Sequence, residues 1–423
     1  MGDPSARLGL LVTRPQWPAA CALLCLFSGL AQAADDRGLH GAVGLSAQHD
    51  DNLFRLPDGV APAAAGVSRD ADDDGSHRGD LTLSPFVSLD ASLAFGRQHF
   101  GLAGTRRETH LQRYSAYDTQ TGDLRARWDW QLANDFDGRI DAGTSDQASD
   151  LQDFLGSRRN VLTVRNEHAS ANWRPRPDRR ITLDAQRYRG HNDLPERATS
   201  DYEVRTLGVE GGWLTSLGNE WTLRWRSTQG RYPNRSIVAL TPIDNSYHQH
   251  DSDIGLVLRP GGRTRADIRV GYAVRQHEQV PQRDFEGPSG RAAITWQASG
   301  ALSLDLEAVR DLSALDDYDR LFAISTHYAL GAQLIVAAQW QASLRWSEQH
   351  IDFGGDPQNI ITQAFGQSPA RRDRVQSTRL AVTWLPTPRI QVEMSLEHSA
   401  RSSSRPGLDF SNGSAGVSTQ YSF

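Results

Sequence analysis

The sequence predicts an all-β protein: an antiparallel transmembrane β-barrel of about 18 strands, with short periplasmic turns and long extracellular loops. Three observations predict this fold. Apolar and polar residues alternate with a period of two, the alternating segments often reach ten or more residues, and their connections are alternately short and long. Side chains alternate across a strand, so this period indicates one apolar and one polar face. Strands of about ten residues suit a tilted bilayer crossing.

The composition excludes two other classes of protein. Of 423 residues, 38% are hydrophobic and 23% are charged, and past the N-terminus no stretch of 18 apolar residues occurs. A helical membrane protein would need such a stretch. All 45 basic residues are arginine, and 51 acidic residues give a formal net charge of -6. This balance leaves no basic footprint for nucleic acid.

The N-terminus has the features of a secretory signal peptide, for which we predict the bounds 1–33. A positively charged start precedes an apolar stretch at 19–30, and Ala31-Gln32-Ala33 is a typical cleavage site. The rest of the chain, 34–423, is predicted to be one outer-membrane β-barrel domain. Both cysteines, Cys21 and Cys25, lie in the signal segment, so the exported part has neither disulfides nor thiol chemistry.

The segment 81–95 shows the alternation most plainly. One face carries Leu81, Leu83, Val87, Leu89, Leu93 and Phe95, and the other carries Thr82, Ser84, Ser88, Asp90 and Ser92. Segments 333–347 and 389–399 repeat the pattern, whereas 161–173 alternates poorly and its faces cannot be assigned from sequence.

The connections between the predicted strands are of two kinds, short and long, which alternate along the chain. The short ones are 96–98, 134–135, 174–178, 216–220, 259–263, 299–300, 330–331 and 385–388. The long polar ones are 55–79, 113–122, 146–159, 189–200, 231–247, 277–288, 311–319, 351–372 and 400–410. Short turns on one side and long loops on the other are typical of outer-membrane barrels. Together with the signal peptide, these connections predict that the protein is located in the outer membrane of a Gram-negative bacterium.

Aromatic residues cluster near the short turns, where a girdle at the periplasmic interface is expected. They are Phe95, Trp130, Phe136, Trp173, Trp213, Trp221, Trp296 and Trp384. The chain ends with Tyr421 and Phe423 on the predicted outer face. This pair resembles the C-terminal insertion signal that the barrel-assembly machinery reads.

The polar faces of the strands predict a hydrated lumen lined by charges of both signs. The candidate lumen-lining residues are Arg125, Arg127, Arg224, Arg226, Arg269, Arg345, Arg379, Asp129 and Glu393. Two interpretations stay open: a mutually paired network that stiffens the wall, or rows of donors that guide an anionic or sugar-like solute. The longest loops, 55–79 and 351–372, are candidates for inward-folded constrictions.

Two groups of residues suggest metal binding, although we expect no cofactor. Asp70, Asp72 and Asp74 match the opening half of a calcium loop, but Leu81 stands where a bidentate glutamate is needed. We interpret this run as a solvated acidic loop. The second group, His248, His250, Asp251 and Asp253, is interpreted as part of a polar outer loop, with a transition-metal site as the alternative.

His168, Ser170 and Asn172 fall on one strand face, as in an outer-membrane hydrolase. A serine nucleophile needs an adjacent base and a further orienting group, and the sequence offers no second anchor for such a site. The sequence therefore predicts that the protein is not an enzyme.

The run His49-Asp50-Asp51-Asn52-Leu53-Phe54-Arg55-Leu56-Pro57 carries a family resemblance. It is similar to the start of the EpsL-type outer-membrane proteins of exopolysaccharide biosynthesis operons, within a larger group of β-barrel porins. His49 stands where that family usually has an aromatic residue. Gly96-Arg97-Gln98, Tyr117-Asp118 and the terminal Tyr421-Ser422-Phe423 also agree. The resemblance implies a part in secreting or retaining an exopolysaccharide.

On this basis we expect a porin-like protein that takes part in exopolysaccharide export across the outer membrane. The alternative is a general or small-solute porin; an outer-membrane hydrolase or a passive adhesion protein is less favoured. The expected partners are outer-membrane lipid and lipopolysaccharide, the barrel-assembly machinery, and a polysaccharide or other polar solute, but no nucleic acid.

Overall fold

The computed structural model describes residues 38–67, 75–149, 151, 159–234, 246–279, 281, 284–317, 320–354 and 371–423. These residues form one closed antiparallel sheet of 18 strands, which confirms the predicted fold. Each strand pairs with its neighbours along the chain, and the first strand also pairs with the last. Within the described residues, no helix is long and apolar enough to span a membrane.

The strands are 12 to 18 residues long. In chain order they are β1 Leu39–Asp50, β2 Asp80–Phe95, β3 Gln98–Leu111, β4 Thr119–Leu132, β5 Phe136–Ala148, β6 Val161–Arg176, β7 Arg179–Asn192, β8 Tyr202–Leu214, β9 Glu220–Arg231, β10 Tyr247–Leu258, β11 Thr264–His277, β12 Phe285–Gln297, β13 Leu302–Asp317, β14 Arg320–Ala337, β15 Trp340–Gly354, β16 Arg372–Thr387, β17 Ile390–Ser403 and β18 Phe410–Ser422. Short 3-10 turns occur at Pro62–Ala65, Ser115–Tyr117, Pro195–Ser200 and Pro260–Gly262.

Toward the short turns, the outer surface of the barrel is apolar, as the alternation predicts. On β2 the exposed side chains include Leu89, Leu93 and Phe95, and their even-numbered neighbours face the lumen. Outward aromatic rings stack across strands near the short turns, as in the pair Trp340 and Trp384, whose centroids are 5.6 Å apart. Phe136 stacks on Trp173 and Trp213 on Trp221 in the same way. These pairs form the expected periplasmic girdle.

Two predicted connections are wrong. The predicted long loop 311–319 is mostly strand, because β13 continues to Asp317 and β14 begins at Arg320. Both faces of a strand that rises above the membrane meet water, so its polar residues resemble a loop. The turn predicted at 330–331 lies inside β14, and the chain turns at 338–339 instead. Gly331 is paired with Asp305 on one side and Arg345 on the other, in the regular register of the strand.

The poor alternation of segment 161–173 also has a structural reason. β6 is a regular strand whose lower outward residues, such as Ala169 and Trp173, are apolar. Higher on the same face stand Arg165 and Glu167. Charged side chains on the lipid side break the simple pattern of one polar and one apolar face.

Candidate functional site

The extracellular mouth is shaped by the residues that follow β1. The Asn52 side chain donates hydrogen bonds of 2.9 Å to the carbonyls of Leu56 and Ser411, and its Oδ1 accepts one of 3.0 Å from the Leu56 amide. The Arg55 guanidinium donates to the Asp50 carboxylate at 2.8 Å. These contacts tie the first loop both to itself and to β18. The run that carries the family resemblance therefore works as a loop anchor.

An apolar core follows this anchor. Phe54 packs edge-on against Tyr114 and Tyr117, with ring centroids 4.8 and 5.3 Å apart, and all three side chains are at most 1% exposed. Leu111 joins the core from the inward face of β3, so the core lies on the lumen side of the wall. The remaining buried members are Leu56, Val67 and Leu151. We call this group the mouth core.

The mouth core supports the expectation that the loop 55–79 folds inward, as far as its described residues reach. The other expected constriction, 351–372, falls mostly on 355–370, outside the described residues. The calcium candidate Asp70, Asp72 and Asp74 is also outside them. Among the residues that the structure describes, no group of three or more histidine or carboxylate side chains could hold a metal ion.

Below the mouth, the inward face is lined by ion pairs in three sectors. In the first, on β4 and β5, Asp129 pairs with the Nε atoms of Arg127 and Arg139 at 2.9 and 2.5 Å. Asp141 pairs with Arg125 and accepts from His168 on β6. The alternation of β4 places Arg125, Arg127 and Asp129 on this face together.

The second sector crosses β7 to β11. Arg224 pairs with Asp253 at 2.8 Å, and Arg226 with Asp251 at 3.8 Å. Arg269 reaches Asp253 at 2.8 Å and Glu210 at 3.3 Å. One arginine thereby joins acids from two strands, Glu210 of β8 and Asp253 of β10.

The third sector lies on β12 to β17. Glu307 binds Arg291 at 3.0 Å and Arg345 at 3.7 Å. Arg379 binds Glu393 at 2.9 Å and Glu397 at 3.4 Å. Every candidate lumen arginine therefore has a carboxylate within 4 Å. Sequence reasoning missed the roles of Arg180, Arg291, Glu210 and Glu220 in these networks. Their positions on the inward faces of alternating strands are the signal that could have found them.

Pairing does not bury these groups. The side chains of Arg125, Arg127, Arg139, Arg291, Arg345 and Arg379 are 46–59% exposed, although they face the barrel interior. The inside of the barrel is thus a hydrated space in contact with donors and acceptors of both signs.

The remaining sequence candidates are part of the strands. His168, Ser170 and Asn172 share the inward face of β6, where His168 binds Asp141 and Asn172 donates to Asp137. The group His248, His250, Asp251 and Asp253 is not in a loop, as the sequence suggested, but in β10. Its histidines face outward and its aspartates inward, so they cannot share a metal ion.

Comparisons with known proteins agree with this architecture. Residues 241–423 match the family described as "Putative beta-barrel porin 2". The outer membrane protein OpdK of Pseudomonas aeruginosa superposes with a TM-score of 0.50 at 10% identity, covering 91% of this chain and 99% of that one. The protein is a porin-like β-barrel of the Gram-negative outer membrane.

Two further barrels are similar at a lower level. OccK3 (OpdO) of P. aeruginosa has a TM-score of 0.46 and 12% identity, covering 94% of this chain and 98% of its own. The siderophore receptor PirA of Acinetobacter baumannii has a TM-score of 0.45 and 10% identity, covering 92% and 81%. No curated protein matches the sequence significantly.

Proposed function

We propose that this porin-like barrel is a diffusion channel for small polar solutes. The observation that carries the proposal is the inward face, where arginines and carboxylates pair in three sectors and the arginines of the first and third sectors are about half-exposed. Eighteen strands enclose enough space for an aqueous channel when loops do not fill it. Because both charge signs are balanced locally, we propose neutral or zwitterionic solutes, such as small sugars, over strongly charged ones.

The mouth core supports a limit on solute size. It packs part of the first loop against Leu111 on the inward face of β3, and we propose that this narrows the channel at its extracellular end. A narrow mouth suits passage of small solutes.

Polysaccharide export is the second candidate. It rests on the resemblance of residues 49–57 to EpsL-type proteins. In the structure these residues anchor a loop, so the resemblance describes how the mouth is built and supplies no polymer-binding group. We therefore place export second.

Liposome swelling with uncharged sugars of increasing size tests the first proposal. Proteoliposomes should swell with monosaccharides and disaccharides and stop swelling as the sugars lengthen. In parallel, a deletion strain is assayed for carbohydrate in separated periplasm and culture supernatant. If the proteoliposomes do not swell with any sugar, and the deletion strain has less polysaccharide in the supernatant and more in the periplasm, then export is the better proposal and the diffusion channel is wrong.

A further inference from the structure

The outward face of β6 to β9 carries a charged group where lipid-facing residues are expected to be apolar. It consists of Arg165, Glu167, Arg187, Arg189, Glu203, Arg205 and Arg231, which we call the outer arginine cluster. Below it on the same face are exposed apolar residues, among them Leu183 and Leu207. Glu167 lies opposite Arg187, and two residues further down Ala169 lies opposite Ala185. The strand register thus places the cluster directly above the apolar belt.

The arrangement brings like charges together. Arg165 lies directly opposite Arg189, and Arg187 directly opposite Arg205. Such cross-strand pairs are about 4.5–5.5 Å apart at Cβ and repel each other. Glu167 binds Arg189, and Glu203 binds Arg187 and Arg205 at 3.0 and 2.6 Å. Five arginines against two glutamates still leave positive charge in excess, so an anion would stabilise the surface.

The height of the cluster indicates which anion it meets. Trp173 belongs to the periplasmic girdle, and Glu167 lies six residues above it on β6. Six to eight residues along a tilted strand rise roughly 15–20 Å, against an apolar band of about 25 Å. The arginine side chains extend further toward the extracellular side. Their charges therefore lie at the outer-leaflet interface, where a charged lipid-facing residue costs little.

We propose that the outer arginine cluster binds the phosphate groups of a phosphorylated glycolipid in the outer leaflet, of the lipid A type. Guanidinium groups bind phosphate in a bidentate manner, and several of them converge here from adjacent strands. Acyl chains of the same lipid would lie along the apolar belt below. Both parts of one amphiphile then match one continuous surface of the barrel.

Native mass spectrometry of the full protein in detergent tests this site. The probes are lipid A with two phosphates, dephosphorylated lipid A, phosphatidylethanolamine and inorganic phosphate alone. The test variant carries Arg187→Gln, Arg189→Gln and Arg205→Gln. Lipid A with two phosphates should bind the unaltered protein, and the variant should bind it at least about tenfold more weakly, since several charge-assisted hydrogen bonds are lost. Dephosphorylated lipid A and phosphatidylethanolamine should bind both proteins weakly and equally.

Matched variants separate lipid binding from mere stabilisation of the wall. One control variant carries Arg125→Gln, Arg127→Gln and Arg379→Gln. It loses three arginines of the lumen face and should bind lipid A as tightly as the unaltered protein does. A variant that carries Glu167→Gln and Glu203→Gln loses the ion pairs but gains net positive charge, so its binding of lipid A should persist or strengthen.

Three results would overturn the proposal. The variant of Arg187, Arg189 and Arg205 could bind lipid A as tightly as the unaltered protein does. Dephosphorylated lipid A could bind the unaltered protein as tightly as lipid A with two phosphates does, or equimolar inorganic phosphate could displace the lipid. Loss of binding in the glutamate variant would also overturn it, because the cluster would then act only as an ion-pair network. Arg165→Gln alone, which leaves these ion pairs intact, should weaken binding in the same direction.

Discussion

Gly41 and Phe423 exchange two backbone hydrogen bonds, each 2.9 Å long, so the last residue of the chain closes the barrel against its first strand. The Phe423 ring lies over Gly41 on the outer face, where a Cβ atom would be 2.5 Å from it. Gly41 is thus needed for space: it allows the terminal aromatic ring to pack against the wall.

Enlarging Gly41 should impair closure of the barrel. We expect Gly41→Val to lower the fraction of protein that migrates faster unboiled than boiled on a detergent gel, because the new side chain displaces Phe423. Gly211→Val is the matched control, since a Cβ atom there would meet nothing within 4 Å. Equal folded fractions for Gly41→Val and the control would contradict this expectation.

Deleting Phe423 tests the C-terminal insertion signal, which stays a prediction. Tyr421 and Phe423 both face outward at the periplasmic end, with ring centroids 6.3 Å apart. Without Phe423 the chain also loses both hydrogen bonds to Gly41, so we expect unassembled protein that periplasmic proteases degrade. Immunoblots of outer-membrane fractions measure it. A Phe423→Tyr variant, which keeps an aromatic ring, should assemble normally.

Much of the fold could be predicted because the rule that generates it is local. Alternation identifies a strand and its faces from the strand's own residues, and the lengths of the connections give the side of the membrane. The rule fails where a local signal has two meanings. Gly331 resembles a turn residue in the sequence, but in the barrel it pairs regularly with Asp305 and Arg345 inside β14.

The site was harder to predict, since ion pairs depend on the register between strands. Alternation identified Arg379 and Glu393 as inward residues, yet their partnership follows from how β16 and β17 align. The contact from Arg269 to Glu210 spans from β11 to β8. Such a contact crosses two intervening strands, so the pattern within any one strand cannot predict it.

Removing an arginine from the lumen should shift ion selectivity toward cations. Arg379 neutralises Glu393 and Glu397, so Arg379→Gln leaves two carboxylates facing the channel. Fixed negative charge concentrates cations near the wall. We expect the potassium-to-chloride permeability ratio, from reversal potentials in a salt gradient, to rise about twofold. Arg374→Gln on the outward face of the same strand is the control, and an equal shift there would show that the lumen pair is not responsible.

Loss of the loop anchor should loosen the mouth. Asn52→Ala removes three hydrogen bonds at a residue that is 2% exposed. Each unsatisfied buried partner costs about 1–3 kcal/mol. We expect faster proteolytic cleavage in the first loop of intact cells, with the barrel itself still folded. Asn52→Asp keeps the acceptor for the Leu56 amide but loses both donated bonds, so its cleavage rate should be intermediate. Rates unchanged from those of the unaltered protein in both variants would show that other contacts hold the loop.

Opening the mouth core should increase conductance. Phe54 is packed between Tyr114 and Tyr117, so Phe54→Ala leaves a cavity at the centre of the core. A phenylalanine-to-alanine change in a packed core costs about 3–5 kcal/mol, more than a small loop cluster can lose and stay ordered. The released loop should widen the channel. Single-channel conductance in planar bilayers should therefore rise, and larger sugars should still cause liposome swelling.

Phe100→Ala, which removes an outward ring stacked on Trp128, is the control for general damage to the barrel. Tyr114→Phe keeps the ring packing and loses only the hydroxyl that donates to the His77 carbonyl, so its conductance should lie between those of the unaltered protein and Phe54→Ala. A Phe54→Ala channel with unchanged conductance and size limit would place the narrowest point of the pore elsewhere.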